Sequence, residues 1–332
     1  MPTMTAQQAL NAALFEEMRR DQHVMLMGEG VATLHPDMVD AFGADRVRNT
    51  PLSEAVVAGC AVGAAASGLR PVVDMLYAPF LTYAMDAIVN SAGKLRYISG
   101  GQFAFPMVVL ANTGAGWGVG AQHTHNIEAW FVHSPGLKVV MPSSPADFKG
   151  LLKSAIRDDN PVVFLSDMTL LHQPGDVSDD ADALVPIGKA AVLREGHDVT
   201  LVSYAKTVHA CMAAAQQLAQ QGWSAEVIDL RSLKPLDMDT VLHSVRRTGR
   251  LVVAHEAGPL CGVGAEVAAQ AAASAFHALK APIRRVTSPD VPTPASDALE
   301  QAFAPTADAI VATALSLLQS DERPALKLPV AA

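Results

Sequence analysis

The sequence has few cysteines and few basic residues. Its three cysteines, Cys60, Cys211 and Cys261, lie far apart, and the odd count argues against a disulfide framework. We therefore expect a reducing, cytoplasmic environment. Lys and Arg total 24 against 33 Asp and Glu, the net charge is −9, and no run of basic residues occurs. This charge balance argues against nucleic acid and against an anionic membrane surface as partners.

We expect neither a membrane span nor a targeting segment in this sequence. The longest stretch of low polarity, residues 55–69, is short for a membrane span and consists mostly of Ala and Gly. The N-terminus has neither the layout of a signal peptide nor that of an Arg-rich transit peptide. Aromatic residues make up only 5% of the chain, while half of it is hydrophobic. We therefore expect a globular protein, with no membrane partner, whose core is packed mainly by Ala, Val and Leu.

Apolar strand-like runs alternate with helical patterns along the whole chain. This alternation predicts an α/β fold with mainly parallel sheets and crossover helices. Helices are predicted at residues 5–20, after Glu54, and at 80–95, 145–157, 208–221 and 264–279. Strands are predicted at residues 24–27, 72–75, 107–111, 138–141, 162–165, 199–203, 225–229, 251–254 and 283–286.

A change of composition divides the chain into two predicted domains. Residues 172–186 are rich in Pro, Gly and Asp and contain few apolar anchors, which is typical of an interdomain linker. Beyond them the alternation of strands and helices starts again. We predict a first domain at 1–172, a linker at 173–187 and a second, smaller α/β domain at 188–332.

The glycine-rich run Gly114–Gly120 is not a dinucleotide-binding motif. It does not match G-x-G-x-x-G, a polar His-Thr-His-Asn stretch follows it, and no phosphate-binding P-loop occurs in the chain. Its glycines could form a plain turn, but we interpret them as a functional loop because His123 and His125 follow closely. No Cys, Asp or Glu at suitable spacing completes a metal site with these histidines. Catalytic and structural roles for them both stay open on the residues alone.

Glu54 is the most informative carboxylate of the sequence. It directly precedes a helix of small residues, and a carboxylate at such a helix start can hold a proton-donating ring nitrogen of a cofactor. A plain interaction with the helix dipole is the alternative. Together with residues 123–125 and the segment 135–145, Glu54 points to thiamine diphosphate chemistry.

Eight sequence segments, in order, carry a resemblance that covers nearly the whole chain. The chain resembles the β subunits of the thiamine-diphosphate-dependent 2-oxo-acid dehydrogenases, a group that includes the pyruvate, branched-chain and acetoin enzymes. The segments are G-E-G at Gly28, T-P-L-S-E at Thr50, G-L-R-P at Gly68, K-L-R-Y-I-S-G-G-Q at Lys94, A-Q-H at Ala121, P-G-L-K-V-V at Pro135, K-G-L-L-K-S-A-I-R-D-D-N-P-V at Lys149 and E-V-I-D-L-R-S-L-K-P-L-D at Glu226.

The resemblance implies a fold and a set of site residues. The fold is a transketolase-like pyrimidine-binding domain followed by a transketolase C-terminal-like domain. Glu54 matches the glutamate that hydrogen-bonds N1′ of the cofactor's aminopyrimidine, which favours the tautomer that activates the thiazolium carbon. His123 matches an active-site histidine that serves proton transfer or orients the acyl group. The remaining cofactor contacts match Glu29, Leu52, Leu76 and Phe80, and a potassium loop matches Ala155, Ile156, Asp158 and Asn160.

The resemblance also implies partners. The cofactor's diphosphate needs Mg²⁺ held by a G-D-G motif, which this chain lacks and which the family carries on its α subunit. We therefore expect half an active site, completed in a heterotetramer of two α and two β chains. The acyl group would pass to lipoamide on an acyltransferase core. The second domain is expected to supply assembly surface more than chemistry.

The sequence departs from the family pattern at several positions. His125 replaces a common glutamine, Gly30 replaces the second acid of G-E-D, and the loop before Arg46 is short. Ser166 and Leu171 replace a glutamate and a tyrosine. These changes leave the substrate open between a 2-oxo acid and an acyloin. Two other functions stay open as alternatives: one half of a transketolase-like or deoxyxylulose-phosphate-synthase-like enzyme, and a scaffold subunit without catalysis.

Overall fold

The fold was analysed in a computed structural model that describes residues 1–319. The end of the predicted second domain, residues 320–332, lies outside the described residues. The first part of the chain contains β1 (Thr3–Thr5), α1 (Ala6–Arg20), β2 (Val24–Gly28), α2 (Val31–Leu34), α3 (Pro36–Phe42), β3 (Val47–Asn49), α4 (Glu54–Ala66), β4 (Arg70–Tyr77), α5 (Gly93–Ile98), β5 (Val108–Thr113), α6 (Ala121–Thr124), α7 (Glu128–His133), β6 (Lys138–Val140), α8 (Pro145–Arg157), β7 (Val162–Asp167) and β8 (Pro174–Asp176).

The second part contains its own strands and helices in similar alternation. They are β9 (Ala191–Arg194), β10 (Val199–Ser203), α9 (Thr207–Gln220), β11 (Ala225–Asp229), β12 (Ser232–Lys234), α10 (Met238–Thr248), β13 (Leu251–His255), α11 (Val263–Ala275), β14 (Arg284–Thr287), α12 (Asp297–Phe303) and α13 (Ala307–Leu318).

Local sequence signals explain where several helices begin. Helix α1 starts with a capping box, in which the Thr5 hydroxyl accepts from the Gln8 amide and the Gln8 side chain accepts from the Thr5 amide. Helix α8 has the predicted bounds and begins after Ser144, whose hydroxyl accepts from the Asp147 amide. The prediction of one helix at 80–95 is wrong in type, because Ala78–Ala84 form a 3₁₀ helix and Asp86–Ala92 a π-helix. Apolar spacing does not distinguish these tighter and wider turns from an α-helix.

The two large sheets are mainly parallel, which confirms the predicted fold class. The seven-stranded sheet has the order β12-β6-β7-β5-β4-β2-β3, and the five-stranded sheet has the order β14-β13-β10-β11-β9. Among residues 1–319, only the edge strands β12 and β9 run antiparallel to their neighbours in these two sheets. Strand β12 follows β11 of the second sheet but joins the first one, so the two parts of the chain share a sheet edge.

The segment predicted as a linker is packed against the first part of the chain. Strand β8 pairs antiparallel with β1. Lys149 donates a hydrogen bond to the Ser178 carbonyl (3.0 Å), and the Ser154 hydroxyl donates to the Val185 carbonyl (2.6 Å). Two side chains of α8 therefore hold the segment in place. Composition alone could not reveal these long-range contacts. The predicted domain boundaries at residues 172 and 188 stay a prediction.

A stretch that was not singled out from the sequence, Asp297–Leu318, is longer than residues 55–69 and has the length and composition of a membrane-crossing helix. It is divided between α12 and α13, which residues 304–306 separate. Helix α13 places Ile310, Ala314 and Leu317 in the core of the second domain. Its apolar side chains are therefore used for packing inside the fold.

The topology brings the loops that follow β2, β3, β4 and β5 to one edge of the seven-stranded sheet, because these strands are parallel. Gly28, at the end of β2, pairs with Asn49 of β3 on one side and with Asp74 of β4 on the other. Strand β5 follows β4 in the same parallel direction. The chain thus leaves β2 for a neighbour on one side and later returns to its other side. Ligands of open parallel sheets bind at such a switch point, beyond the carboxyl ends of the strands.

Candidate active site

A cleft at the switch point is lined by four of the five predicted cofactor contacts. Glu29 directly follows β2, Leu52 precedes α4, Glu54 is the first residue of α4, and Leu76 lies near the end of β4. These residues come from three separate chain segments. Their convergence depends on the parallel alignment of β2, β3 and β4, and it gives one carboxylate-bearing, partly apolar cleft.

Glu54 is half-buried in this cleft at the start of α4. The N-terminus of a helix favours negative charge, because the free amides of the first turn and the helix dipole both face it. Among residues 1–319, no side chain or backbone group donates a hydrogen bond to the Glu54 carboxylate. It is therefore available to accept a hydrogen bond from a bound ring nitrogen. That role stays a prediction.

Leu76 lies in a strained backbone conformation at the edge of the cleft. Its φ is 58°, in the left-handed region that side chains other than Gly rarely adopt. The Leu76 amide donates a hydrogen bond to the Asp74 carboxylate at 2.9 Å, which closes a tight turn at the end of β4. Burial raises the pKa of the Asp74 carboxyl, while this amide and His35 oppose the rise. Backbone strain of this kind is found at binding sites, where the surrounding structure maintains it.

His123 lies beside a second, larger cavity rather than in the cleft itself. Its ring contacts Tyr77 edge-on (4.8 Å between centroids) and Phe80 (5.3 Å). The cavity, of about 830 Å³, is lined by the side chains of Phe80, Tyr83, His123, His125 and Trp130, among others. The structure therefore places Phe80 with His123, not with the other four predicted cofactor contacts. Leu76 and Tyr77, consecutive in β4, connect the cleft and the cavity.

The glycine-rich run forms an irregular loop between β5 and α6. Gly114, Gly116, Gly118 and Gly120 all have positive φ, between 68° and 120°. Helix α6 begins directly after Gly120 and carries His123. The loop therefore leads directly into the helix that carries this histidine. The functional role of its glycines stays a prediction. The partners of the loop were not predicted, because they come from the second part of the chain.

A buried ionic cluster lies behind this loop. Lys206 forms an ion pair with Glu256 and lies 3.6 Å from Asp167. Burial, reinforced by the charge of Glu256 and opposed by Lys206, raises the pKa of Asp167 to about 6. Burial also raises the pKa of Glu128, whose carboxylate accepts a hydrogen bond from the Tyr204 hydroxyl at 2.6 Å. No sequence motif marks these residues, which are up to 128 positions apart along the chain and meet only at the domain junction.

The four residues of the predicted potassium loop lie together at the end of α8. Asp158 accepts hydrogen bonds from the Asn160 amide and side chain (both 2.9 Å) and forms an ion pair with Lys138. Arg70 donates to the carbonyls of Ile156 (3.0 Å) and Asp158 (3.1 Å). The oxygens are of the kind that a monovalent cation takes, but cationic side chains already contact several of them. Within residues 1–319 no cluster of His, Cys, Asp and Glu could hold a metal ion.

Comparisons with known families cover most of the chain. Residues 2–173 match the family described as "Transketolase, pyrimidine binding domain", and residues 188–310 match "Transketolase, C-terminal domain". The chain is 47% identical over 319 residues to a Caenorhabditis elegans protein named mitochondrial pyruvate dehydrogenase E1 component subunit beta, with 93% of this chain and 91% of that protein covered. The chain belongs to the transketolase-like family of E1 β subunits.

Two further relatives extend the family. The chain is 46% identical to the pyruvate dehydrogenase E1 component subunit beta of Dictyostelium discoideum, covering 90% of this chain and 86% of the relative. It is 44% identical to the Cupriavidus necator protein named acetoin:2,6-dichlorophenolindophenol oxidoreductase subunit beta, covering 92% and 95%. The family predicted from the eight segments is therefore confirmed.

A solved structure shares the architecture of this E1 β chain. It is titled "Split gene transketolase, inactive beta4 tetramer", and it is 26% identical with a TM-score of 0.82. The match covers 96% of this chain and 100% of that one. The predicted order of two transketolase-like domains is therefore confirmed.

Close packing under the glycine loop leads to a stability prediction. A Cβ atom added at Gly114, where φ is 93°, would lie 2.5 Å from the Asp167 carboxylate. Gly114→Ala should lower the free energy of unfolding by about 1 kcal/mol for the left-handed backbone. The clash should lower it by about 1–3 kcal/mol more. Urea unfolding followed by circular dichroism measures the difference.

Gly68→Ala is the matched control, because its φ of 94° equals that of Gly114 within a degree, but no atom lies within 4 Å of an added Cβ. It should show only the backbone contribution. Equal losses in the two variants would contradict the close packing of Gly114 against Asp167.

Proposed function

We propose that this chain is the β subunit of a thiamine-diphosphate-dependent 2-oxo-acid or acetoin dehydrogenase. In this function it decarboxylates a 2-oxo acid, or cleaves an acyloin, and passes the acyl group to lipoamide. The observation that carries the proposal is the convergence of Glu29, Leu52, Glu54 and Leu76 in one cleft at the switch point. Membership of the E1 β family supports it.

The cleft fits the aminopyrimidine half of thiamine diphosphate. Leu52 and Leu76 offer apolar contact to a flat ring, and Glu54 offers a carboxylate acceptor at its edge. When bound, thiamine diphosphate supplies a carbon nucleophile that makes decarboxylation of a 2-oxo acid feasible. The part of Glu54 is to hold a proton at N1′ of the pyrimidine by accepting its hydrogen bond. Glu29 lines the same cleft directly after β2 and would contribute to holding the cofactor.

His123 is the candidate proton-transfer group of the neighbouring cavity. Contacts with the rings of Tyr77 and Phe80 restrict its rotation, and the residue lines the cavity. A histidine held in this way can donate or accept a proton as the acyl group moves to the lipoyl arm. His125 lines the same cavity and is exposed. It offers a second imidazole to the substrate or to the lipoyl arm.

The partner of the proposed enzyme follows from what the cleft lacks. Thiamine diphosphate carries a diphosphate that needs Mg²⁺, and no G-D-G motif occurs in this chain. An α subunit carries that motif in the proposed α₂β₂ heterotetramer, in which a second β chain and a lipoyl acyltransferase core are the further partners. Cys60, Cys211 and Cys261 are unpaired, which is consistent with the proposed cytoplasmic location.

The substrate is the least defined part of the proposal. Relatives named for pyruvate and for acetoin have similar identities to this chain, 47% and 44%. Tyr83, His125 and Trp130 line the cavity in which either substrate would meet His123. A 2-oxo acid and an acyloin are therefore both included in the proposal.

Potassium at the Ala155, Ile156, Asp158 and Asn160 loop belongs to the same proposal. The ion would add to Lys138, Arg70 and Arg96 in holding the end of α8. Thermal unfolding of the α₂β₂ complex in KCl should then occur at a higher temperature than in NaCl of equal strength. Identical midpoints in the two salts would remove the ion from the account.

Replacing the cleft carboxylate tests the proposed function. Glu54→Ala should reduce turnover of the reconstituted α₂β₂ complex by at least about 100-fold, because the proton at N1′ loses its acceptor. Assembly of the two subunits should be unchanged, because the substitution truncates a single side chain that lines the cleft. Glu54→Gln keeps the shape but removes the charge, and it should also be severely impaired. Steady-state kinetics and size-exclusion chromatography measure the two properties.

Asp37→Ala is the control, because Asp37 is likewise an acid in the first turn of a helix but lies outside the cleft. Its turnover should equal that of the wild type. Near-normal turnover of Glu54→Ala would refute the assignment of Glu54.

A further inference from the structure

The amides at the centre of the glycine loop are bound by the second part of the chain. The Ala115 amide donates to Glu256 at 2.7 Å. The Gly116 amide donates to one oxygen of Glu300 at 2.9 Å, and the Gly118 amide donates to the other at 3.1 Å. These two carboxylates lie after β13 and on α12, far along the chain from the loop that they hold.

The loop needs such partners because its own sequence gives it little rigidity. Four of its seven residues are glycines, which lose more conformational entropy on ordering than any other residue. Hydrogen bonds from its own domain hold mainly its ends, such as that from the Gly114 amide to the Thr124 carbonyl (3.0 Å). At its centre, the stacking of Trp117 on His172 adds one further contact.

Glu300 is well suited to hold this loop. The residue is only 5% exposed, and a buried carboxylate persists in a protein when hydrogen-bond donors compensate its lost hydration. The donors here are the Gly116 and Gly118 amides. The segment before α12 also packs against the loop, since a Cβ added at Gly118 would lie 3.3 Å from the Ala295 carbonyl oxygen. Burial of Glu300 is therefore linked to order in the loop.

Glu256 holds both sides of the segment that contains His123. The same Glu256 oxygen that accepts from the Ala115 amide also accepts from the Asn126 side chain at 3.0 Å. Lys206 forms an ion pair with Glu256 and donates to the Ala115 carbonyl at 2.5 Å. The chain between Ala115 and Asn126 thus starts and ends on one carboxylate of the second domain.

We propose that Glu300 and Glu256 are positioning residues for His123. They hold the glycine loop, the loop sets the start of α6, and α6 places the His123 ring against Tyr77 and Phe80. The second domain then contributes to the active site, beyond the assembly surface expected from the sequence. The inference rests on the proposed function only where turnover is the readout.

Glu300 provides the sharper test, because its bonds go only to the centre of the loop. We would compare Glu300→Ala, Glu300→Gln and Asp297→Ala with the wild type. Asp297 is an exposed acid on the same helix and makes none of the loop hydrogen bonds. Hydrogen exchange of segments 114–120 and 121–125, read by mass spectrometry on the full-length chain and on the α₂β₂ complex, reports order. Turnover and thiamine diphosphate affinity of the complex report function.

We expect the amides of both segments to exchange roughly tenfold or more faster in Glu300→Ala. Turnover should fall about 10- to 100-fold because the histidine is displaced, while the affinity for thiamine diphosphate stays the same. Glu300→Gln retains one acceptor oxygen and should lie between wild type and Glu300→Ala in both measurements. Asp297→Ala should match the wild type. Segment 6–20, which is α1, should exchange at the same rate in every variant.

Three results would overturn the proposal. One is exchange in Glu300→Ala no faster than in Asp297→Ala. Another is faster exchange with unchanged turnover, which would separate the loop from His123. The third is faster exchange in segment 6–20 by the same factor for both Glu300 variants, which would indicate general destabilisation. If the wild-type complex turns over no 2-oxo acid and no acyloin, the proposed function fails, and exchange in segment 121–125 still decides the positioning.

Discussion

The parallel alignment of β3, β2 and β4 is the constraint on which the candidate site depends. Because these strands point the same way, the residues that follow them meet at one edge of the sheet, although Glu29 and Leu76 are 47 positions apart in the chain. The reversal of strand order at β2 opens the cleft between them. Glu54 enters this cleft because α4 starts at the same edge. Small residues on the buried face of α4, such as Ala58 and Ala61, let that helix lie close to the sheet.

The second constraint is the contact between the two domains. The loop that precedes the His123 helix is rich in glycine, and its central amides bind carboxylates of the second domain. Strand β12 crosses to the first sheet, and the buried ionic cluster around Lys206 lies at the same junction. The two domains therefore cannot separate without exposing charged groups and freeing the loop. In this account the cleft of Glu54 belongs to the first domain, while the order of the glycine loop depends on both domains.

Much of this was predictable from the sequence, for physical reasons that differ between elements. Strands β7 and β13 contain the uninterrupted apolar runs Val-Val-Phe-Leu and Leu-Val-Val-Ala, so their positions follow from composition, and α8 follows from its cap and spacing. Glu54 and His123 could be predicted as site residues because local motifs surround them, and their roles stay a prediction. By contrast, several features depend on contacts between distant segments, for which no local pattern exists. These are the pairing of β8 with β1, the position of β12 in the first sheet, and the hydrogen bonds of Glu256 and Glu300 to the glycine loop. The left-handed Leu76 was likewise unpredicted, since nothing in its side chain favours that conformation.

The central claim is that this chain holds half of a thiamine diphosphate site and that a partner chain holds the rest. Native mass spectrometry of the complex isolated from its source, with the co-purifying chain sequenced, tests this most directly. The account predicts equal amounts of this chain and of a second chain with a G-D-G motif, with thiamine diphosphate bound to the pair and turnover absent from this chain alone. An assembly of this chain without a partner, or thiamine-diphosphate-dependent turnover by the isolated chain, would contradict it.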